Sequence, residues 1–458
     1  MIYLGIDIGS SFIKAAAFDT GVCSAVLHTT FPASKKLPDS DPKKFELKAD
    51  EQVGIVKRII EDTMLQMGAI DGILLSTQMH GFVYRTAGTP DIYVSWQDSR
   101  CTNPMKGQNI SYMEYLKHLI PPEKMESCGV YIKPSLGLCN LFAMLHGESP
   151  AADNGELFTL GSYVISGLTG NNICHLSNAA PLGLADVTAG AWNRELIEQL
   201  GFGKMKFPQI AESDFQICGY YNVNGTKIPV YPDFGDQQTA VLGCMAAPED
   251  IVINIATASQ ISLTTERFLP GDYEIRPYFE NKYINTISNM PGGRNLDVLI
   301  HFIRESVEKI CHEQVTAKQI WDAVLGEFSQ DSRGLSVDMG FYDTPYNVDG
   351  GGISHIKPEN FGLTALFSAA FENMADCYRR NIATLTGKTG PRGGLVFSGG
   401  VSWKNPPLLQ IISRETGLDY KLSSIPDEAF AGLFRAALVC SGTCRHLSDR
   451  PELTLKLS

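Results

Sequence analysis

The sequence predicts an α/β protein made of two domains of like architecture that face each other across a cleft. Three observations predict it. First, the chain opens with an apolar strand, a small-residue turn and a second apolar strand over residues 2–19, and the same order returns over residues 251–263. Second, each occurrence is followed by apolar positions at helical spacing and then by a short, continuously apolar segment of the kind that forms a buried strand. Third, 458 residues suit two or three domains at roughly 100–200 residues each, and 44% hydrophobic with 19% charged residues is a globular balance.

The elements follow in order. Ile2 to Ile8 and Phe12 to Asp19 flank Gly9-Ser10-Ser11, which reads as a hairpin turn. Val22 to Thr30 reads as a third strand, and the Lys-, Pro- and Asp-rich residues 35–44 as an exposed loop. From Asp50, Val53, Val56, Ile60, Met64 and Met67 recur at three and four, which gives a helix with one apolar face, ended at Asp71-Gly72. Ile73 to Thr77 is a buried strand. Three strands, a helix and a strand make the opening of a ribonuclease-H-like domain. In the second half, Asp7 falls on Asn254, Gly9 on Ala256 and Ser10 on Thr257. Apolar stripes from Leu296 to Ile310 and from Leu363 to Cys377 read as helices, Gly394 to Ser398 as a strand, and Asp427 to Val439 as the last helix. The domains are expected over 1–235 and 236–458. No low-complexity linker separates them, so packed domains that close on a ligand are expected.

Composition narrows the function. Lys+Arg number 38 against 50 Asp+Glu, a net charge of −12, which argues against a nucleic-acid or anionic-membrane binder. No apolar run approaches the ~18 residues of a spanning helix. The start lacks the basic segment of a signal peptide. The 11 cysteines are odd in number, are scattered from Cys23 to Cys444 and include no Cys-x-x-Cys pair. They read as reduced thiols of a cytoplasmic protein, and Cys440 with Cys444 lacks the further ligands of a zinc site.

Several segments carry candidate chemistry. Backbone N–H groups approach a phosphate closely only where side chains are small. Gly9-Ser10-Ser11 and Ala256-Thr257-Ala258-Ser259 both meet that condition; their hydroxyls add donors and Lys14 adds a charge. Either turn alone is also an ordinary hairpin. Asp7, just before the first turn, is placed to hold Mg²⁺ through water. Gly399-Gly400 after a buried strand lets backbone lie against a flat ligand such as adenosine, and Asn405-Pro406-Pro407 beyond it also reads as a plain helix start. Asp236, in Gly235-Asp236-Gln237-Gln238, follows a strand and precedes a helix. It reads either as an N-cap or as a catalytic base kept ionised by the helix N-terminus. Gln78-Met79-His80-Gly81 ends the buried strand of the first domain and offers donors to the hydroxyls of a polyol. Trp96, Asp98 and Arg100 combine an aromatic face with polar forks, the mixture a sugar site uses; the alternative is a surface ion pair of little weight.

Taken together, these segments resemble the FGGY carbohydrate kinases of the actin-like ATPase superfamily, in the right order and over almost the whole chain. The resemblance implies two actin-like domains with an interdomain cleft, ATP and Mg²⁺ as cofactors, a small-molecule sugar as substrate, and often a homodimer. It makes Asp236 the catalytic base and, with Asp7, a metal-holding residue. It assigns Gly9, Ser10, Ser11, Lys14, Thr257, Ser259, Gly399, Gly400 and Asn405 to the nucleotide, and Gln78, Met79, His80, Gly81, Trp96, Asp98 and Arg100 to the sugar. Within the family, Trp96 to Cys101, Gly137 to Asn140, Asn178 to Ala180 and Asn254 to Gln260 are most similar to sedoheptulokinases, which implies phosphorylation of a ketose, sedoheptulose, at its primary hydroxyl. Alternatives are xylulose or gluconate as acceptor, an actin- or chaperone-like ATPase without a sugar, and a kinase-like sugar sensor. The chain departs from the family at Pro291 and Arg294, where sedoheptulokinases have Asn-Gly-Gly-Asn, and in the bulk of Val401, Trp403 and Lys404.

Overall fold

The computed structural model describes residues 1–147, 151–342, 350–390, 393–423, 425, 427–449 and 453–454. Strands β1 (Ile2–Ile8), β2 (Phe12–Asp19) and β3 (Ser24–Pro32) form an antiparallel meander. The third strand starts later than Val22 because residues 20–23 form the turn, with Cys23 at φ 50°. Helix α1 (Ala49–Met67) buries Val53, Val56, Ile59 and Ile60. It ends at Gly68, not at Asp71-Gly72, because Gly68 takes the left-handed conformation (φ 79°) and its N–H returns to the Met64 carbonyl. Every residue of β4 (Gly72–Thr77) is buried, as suits a strand covered on both faces. With β5 (Gly219–Val223) and β6 (Thr226–Gly235) the sheet runs β5-β6-β4-β1-β2-β3, the β1/β4 and β4/β6 pairs being parallel.

Helix α2 (Asp236–Gly243) leads out of this sheet toward the second. The second sheet is built from β7 (Ile251–Ile255), β8 (Ser259–Thr265), β9 (Glu274–Tyr278) and β10 (Lys282–Met290). After α3 (Gly293–Cys311) and α4 (Leu363–Thr386) come β11 (Leu395–Ser398), α5 (Gly400–Lys404), α6 (Pro406–Thr416), β12 (Tyr420–Leu422) and α7 (Glu428–Cys440). The order is β9-β10-β8-β7-β11-β12. Strands β10-β8-β7-β11-β12 therefore repeat β3-β2-β1-β4-β6 in order and in direction. The register repeats too: Asp7 lies opposite Lys14 and beside Ser76, and Asn254 lies opposite Gln260 and beside Ser398.

The two lobes meet where α2 crosses α7. A Cβ on Gly243 would fall 1.8 Å from the Glu428 carbonyl oxygen, and one on Gly432 would fall 1.9 Å from that of Thr239. Glycine is thus what lets the two backbones touch. Although α7 follows the second sheet, it packs on the first. Phe430, Leu433 and Phe434 share a buried cluster with Tyr3, Phe18 and Leu74, and the Phe18 and Phe434 rings stack at 4.7 Å. A separate cluster, including Cys101, Leu116, Leu138, Phe142, Leu184 and Phe202, fills the region inserted between β4 and β5.

Candidate active site

A cavity of ≈ 480 Å³ opens between the lobes, lined among others by Asp7, Gly9, Lys14, Gln78, Met79, His80, Trp96, Lys133, Asp236, Arg276 and Asp427. Asp7 lies one residue before the end of β1 and Asp236 begins α2 directly after β6, so two carboxylates enter from the strands on either side of β4. A chain of hydroxyls fixes them. Ser76 Oγ donates to Asp7 Oδ1 at 2.9 Å and lies 3.0 Å from Thr239 Oγ1, which donates to the Asp236 carbonyl at 2.9 Å. The N-cap of α2 is Gly235; Asp236 stands one residue inside, and its carboxylate accepts from the Gln237 N–H at 2.8 Å. It does not serve as the N-cap of α2.

Burial raises both carboxyls of the pair, as it does that of Asp233 on β6, which is pushed up to about 6. Burial pushes the Asp236 carboxyl up to about 6, against the Gln237 N–H and Arg276. Burial, with the Asp236 and Asp427 charges, pushes Asp7 up to about 7, against the Ser76 bond. Two buried carboxylates, the charge of Asp236 raising the proton affinity of Asp7, are a donor set that a divalent cation relieves. Among the described residues no three His, Cys, Asp or Glu side chains converge to enclose a metal. A cation here would thus complete its shell with water and ligand oxygens, as Mg²⁺ does.

The opposite end holds a charged bridge between lobes that the sequence reading missed. Glu274 and Arg276, two apart on β9 and so on one face of it, both point inward. Glu274 pairs with Lys133 from the inserted region and, at 2.8 Å, with Arg276, and these cations hold its carboxyl far below the usual range despite burial. Arg276 also donates to Gln237 Oε1 and lies 3.3 Å from His80 Nε2. Burial and the two cations keep the His80 imidazole neutral, so Nε2 accepts from Arg276. The alternation Glu-x-Arg in a strand was the available signal. Gln78 Oε1 is buried without a partner, and Trp96 is 41% exposed on the cavity wall.

Some expected residues stand elsewhere. Asp98 and Arg100 do not line the cavity and are not a surface pair either. Asp98 Oδ1 accepts from Arg100 N and Nε, Asp98 Oδ2 from Phe45 N and Arg100 Nη2, and Arg100 also bonds Glu46. The pair is buried, with its hydrogen-bonding capacity spent on the loop around it. Gly81 lies under the Tyr93 ring, where a Cβ would fall 2.2 Å from the hydroxyl, so its smallness serves packing. The Ser259 hydroxyl donates to the Pro291 carbonyl at 2.9 Å. Asn405 is buried and closes α5, with Nδ2 on the Val401 carbonyl and Oδ1 without a hydrogen-bond partner among the described residues.

The remaining nucleotide candidates are placed by backbone. Ser10, Ser11 and Thr257 sit exposed at the tips of the two turns. Lys14 reaches across to Asp427, the N-cap of α7, at 2.9 Å; that carboxylate outweighs burial and raises the lysine pKa. Gly399 has φ 84° and its Cβ position lies 2.6 Å from the Ile255 carbonyl oxygen, so only glycine fits; its N–H meets Glu428 Oε1 at 3.2 Å. Gly400 begins α5 with open space around it. The segment 291–294 docks on the second turn, Gly293 N–H on the Ala256 carbonyl and Arg294 N–H on that of Thr257. No described helix is long and apolar enough to cross a membrane.

Comparisons with known proteins agree with this arrangement. The pattern of the FGGY family of carbohydrate kinases, N-terminal domain, matches residues 2–243. Sedoheptulokinase of Homo sapiens is 26% identical over 348 residues, 66% of this chain and 69% of that protein. Xylulose kinase from Rhodospirillum rubrum superposes with a TM-score of 0.84 at 15% identity, covering 100% of this chain and 95% of the other. Gluconate kinase from Lactobacillus acidophilus gives 0.82 at 16% identity, covering 99% and 94%. At such identities the solved structures speak for the fold, which is the actin-like two-domain fold.

Proposed function

The chain belongs to the FGGY family of carbohydrate kinases, and from that premise we propose that it transfers the terminal phosphoryl group of ATP to the primary hydroxyl of a ketose, sedoheptulose, giving the 7-phosphate. The observation that carries the reading is the facing pair Asp7 and Asp236, held by Ser76 and Thr239 at the floor of a polar cleft. The likeness to sedoheptulokinase in sequence supports the choice of acceptor.

In this reading the sugar lies against Trp96 and Met79, with its hydroxyls toward Gln78, His80 and Lys133. The orphaned Gln78 Oε1 accepts from one of them. Asp236, with a carboxyl near 6, is ionised at neutral pH yet basic enough to orient the attacking hydroxyl and take its proton. Phosphoryl transfer has a loose transition state, so placement and charge neutralisation outweigh base strength. Mg²⁺, held by Asp7 and Asp236 with water and phosphate oxygens, would supply that neutralisation. The backbone of the turns at Gly9 and Thr257 receives the phosphates, one from each lobe, and closure of the lobes excludes water.

The test is a panel of acceptors with ADP release followed in the presence of ATP and Mg²⁺. Sedoheptulose is expected to give the highest kcat/KM. A preference for xylulose, gluconate or glycerol overturns the acceptor, and ADP release indifferent to every sugar overturns the transfer. Asp236→Asn, run beside it, is expected to bind sugar while turnover falls about a hundredfold or more.

A further inference from the structure

The second lobe repeats the first but lacks its cation: the position opposite Asn254 is Gln260, where Lys14 stands opposite Asp7. A different cation stands near. Arg294, second residue of α3, donates its N–H to the Thr257 carbonyl at 2.9 Å. Its neighbour Gly293 bonds the Ala256 carbonyl, and the Cβ position of Gly293 lies 3.0 Å from Val401, just after Gly399-Gly400. Three segments thus meet at Gly293-Arg294: the second turn, the helix start and Val401 after the glycine pair. The Arg294 guanidinium lies over the Tyr342 ring at 4.5 Å, its Nε is buried without a hydrogen-bond partner, and it enters no ion pair among the described residues. A charge set on an aromatic face and left unpaired beside a backbone anion cradle is arranged for an anion.

We propose that Arg294 binds the phosphates of the nucleotide at the second turn, taking over in this lobe the role that Lys14 has the position to play in the first. The inference rests on the kinase reading for the nucleotide site but not on which sugar is phosphorylated. The wall of the cleft carries Asp7, Asp236, Asp427 and Glu428 against Lys14, Lys133 and Arg276, and each of these cations is paired with a carboxylate, Lys14 with Asp427 and the other two with Glu274. A polyphosphate therefore gains from a further cation that no carboxylate already holds. The planar stack on Tyr342 keeps the guanidinium ordered before the ligand arrives, which lowers the entropic cost of binding.

The experiment is calorimetric titration of the full-length protein with adenosine, ADP and ATP, without sugar, so it reads the nucleotide site whether or not any acceptor is turned over. Arg294→Gln is expected to weaken ADP and ATP by roughly tenfold to a hundredfold, the worth of a charge-assisted contact, and to leave adenosine unchanged. Arg294→Lys should restore part of the loss, since charge survives while the fork does not. Tyr342→Ala, which keeps the cation and removes its platform, should weaken ADP less, again sparing adenosine, and serves if Arg294→Gln does not fold. ADP affinity unchanged in Arg294→Gln overturns the proposal. So does an equal loss for adenosine and ADP, which would put the guanidinium on the base.

Discussion

The two lobes share five strands in the same order and directions, and even the register around the turns matches, yet the matching positions carry different chemistry. Where the first lobe places Asp7 beside Ser76, the second places Asn254 beside Ser398, and the Nδ2 of Asn254 donates to the serine at 3.0 Å where Asp7 accepts. The helices after the last matched strands also differ: α2 presents Asp236 one residue inside its N-terminus, while α7 uses Asp427 as N-cap and binds Lys14 with it. A repeated scaffold thus supplies two phosphate-sized turns, and single substitutions polarise it. The carboxylates that would hold a cation and take a proton belong to one side, and neutral amide and backbone groups to the other. The extra edge strands add to the asymmetry, because β9 has no counterpart in the first lobe and brings Arg276 to the cavity wall and Glu274 against Lys133.

The sharpest way to break the comparison is to neutralise the two helix-start carboxylates in turn. Asp236→Asn removes the group proposed to take the proton and should cost about a hundredfold or more in turnover. Asp427→Asn removes an ion pair and a weak cap, whose Phe430 N–H contact is 3.4 Å, and should cost less than about tenfold. Steady-state kinetics on both variants decides it. Equal losses would mean that the lobes are chemically equivalent at this point and that Asp236 is not special.

Much of this was legible in the residues because local rules governed it. The turn at Gly9 and the stripe from Val53 show in the chain as period changes, and the structure adds only that α1 stops at the left-handed Gly68. The carboxylates Asp7 and Asp236 were legible because each stands at a strand end. The sugar end was less so. Lys133, Glu274 and Arg276 come from an inserted region and from an edge strand, and meet only through the packing of the lobes. For Asp98 and Arg100 the ion pair was legible as an alternative to a sugar fork, but not its burial or its bonds to Phe45 and Glu46, which the packing of a distant loop supplies. Ser259 and Asn405 have bonds within the protein that the residue types do not reveal: the Ser259 hydroxyl serves Pro291 and the Asn405 Nδ2 serves Val401, while Asn405 Oδ1 is buried without a hydrogen-bond partner among the described residues.

The contact between the lobes offers a smaller effect. Gly432→Ala puts a Cβ 1.9 Å from the Thr239 carbonyl oxygen, so α2 and α7 must separate, which should destabilise the protein by about 1–3 kcal/mol. Gly54→Ala is the control: Gly54 lies exposed within α1 with nothing within 4 Å of its Cβ position, and alanine there should stabilise by about 0.5–1 kcal/mol. Denaturant midpoints of the two variants should move in opposite directions. A Gly432→Ala protein as stable as its parent would mean that the helix crossing is loose and does not fix the spacing of Asp236 from α7.

The smallest effect is a slope. Asp7 titrates at about 7 and Asp236 at about 6, against 3.8 for an ordinary aspartate, whereas Asn254, in the matching place, does not titrate. Between pH 4 and pH 7 the folded protein therefore keeps protons that the unfolded chain has released. Their contribution to stability is greatest at the acid side of this window and declines as pH rises through it. His80 works the other way, since it is neutral when folded and takes a proton when unfolded below pH 6.5. The difference between variant and parent isolates the carboxylate. In chelator, the fall in Tm from pH 5 to pH 7.5 should be shallower for Asp7→Asn than for the parent. Saturating Mg²⁺, by stabilising the ionised pair, should flatten the parent toward the variant. Parallel curves for parent and variant in chelator would mean that Asp7 is already ionised in the folded protein. The first lobe would then lack the raised proton affinity that separates it from the second.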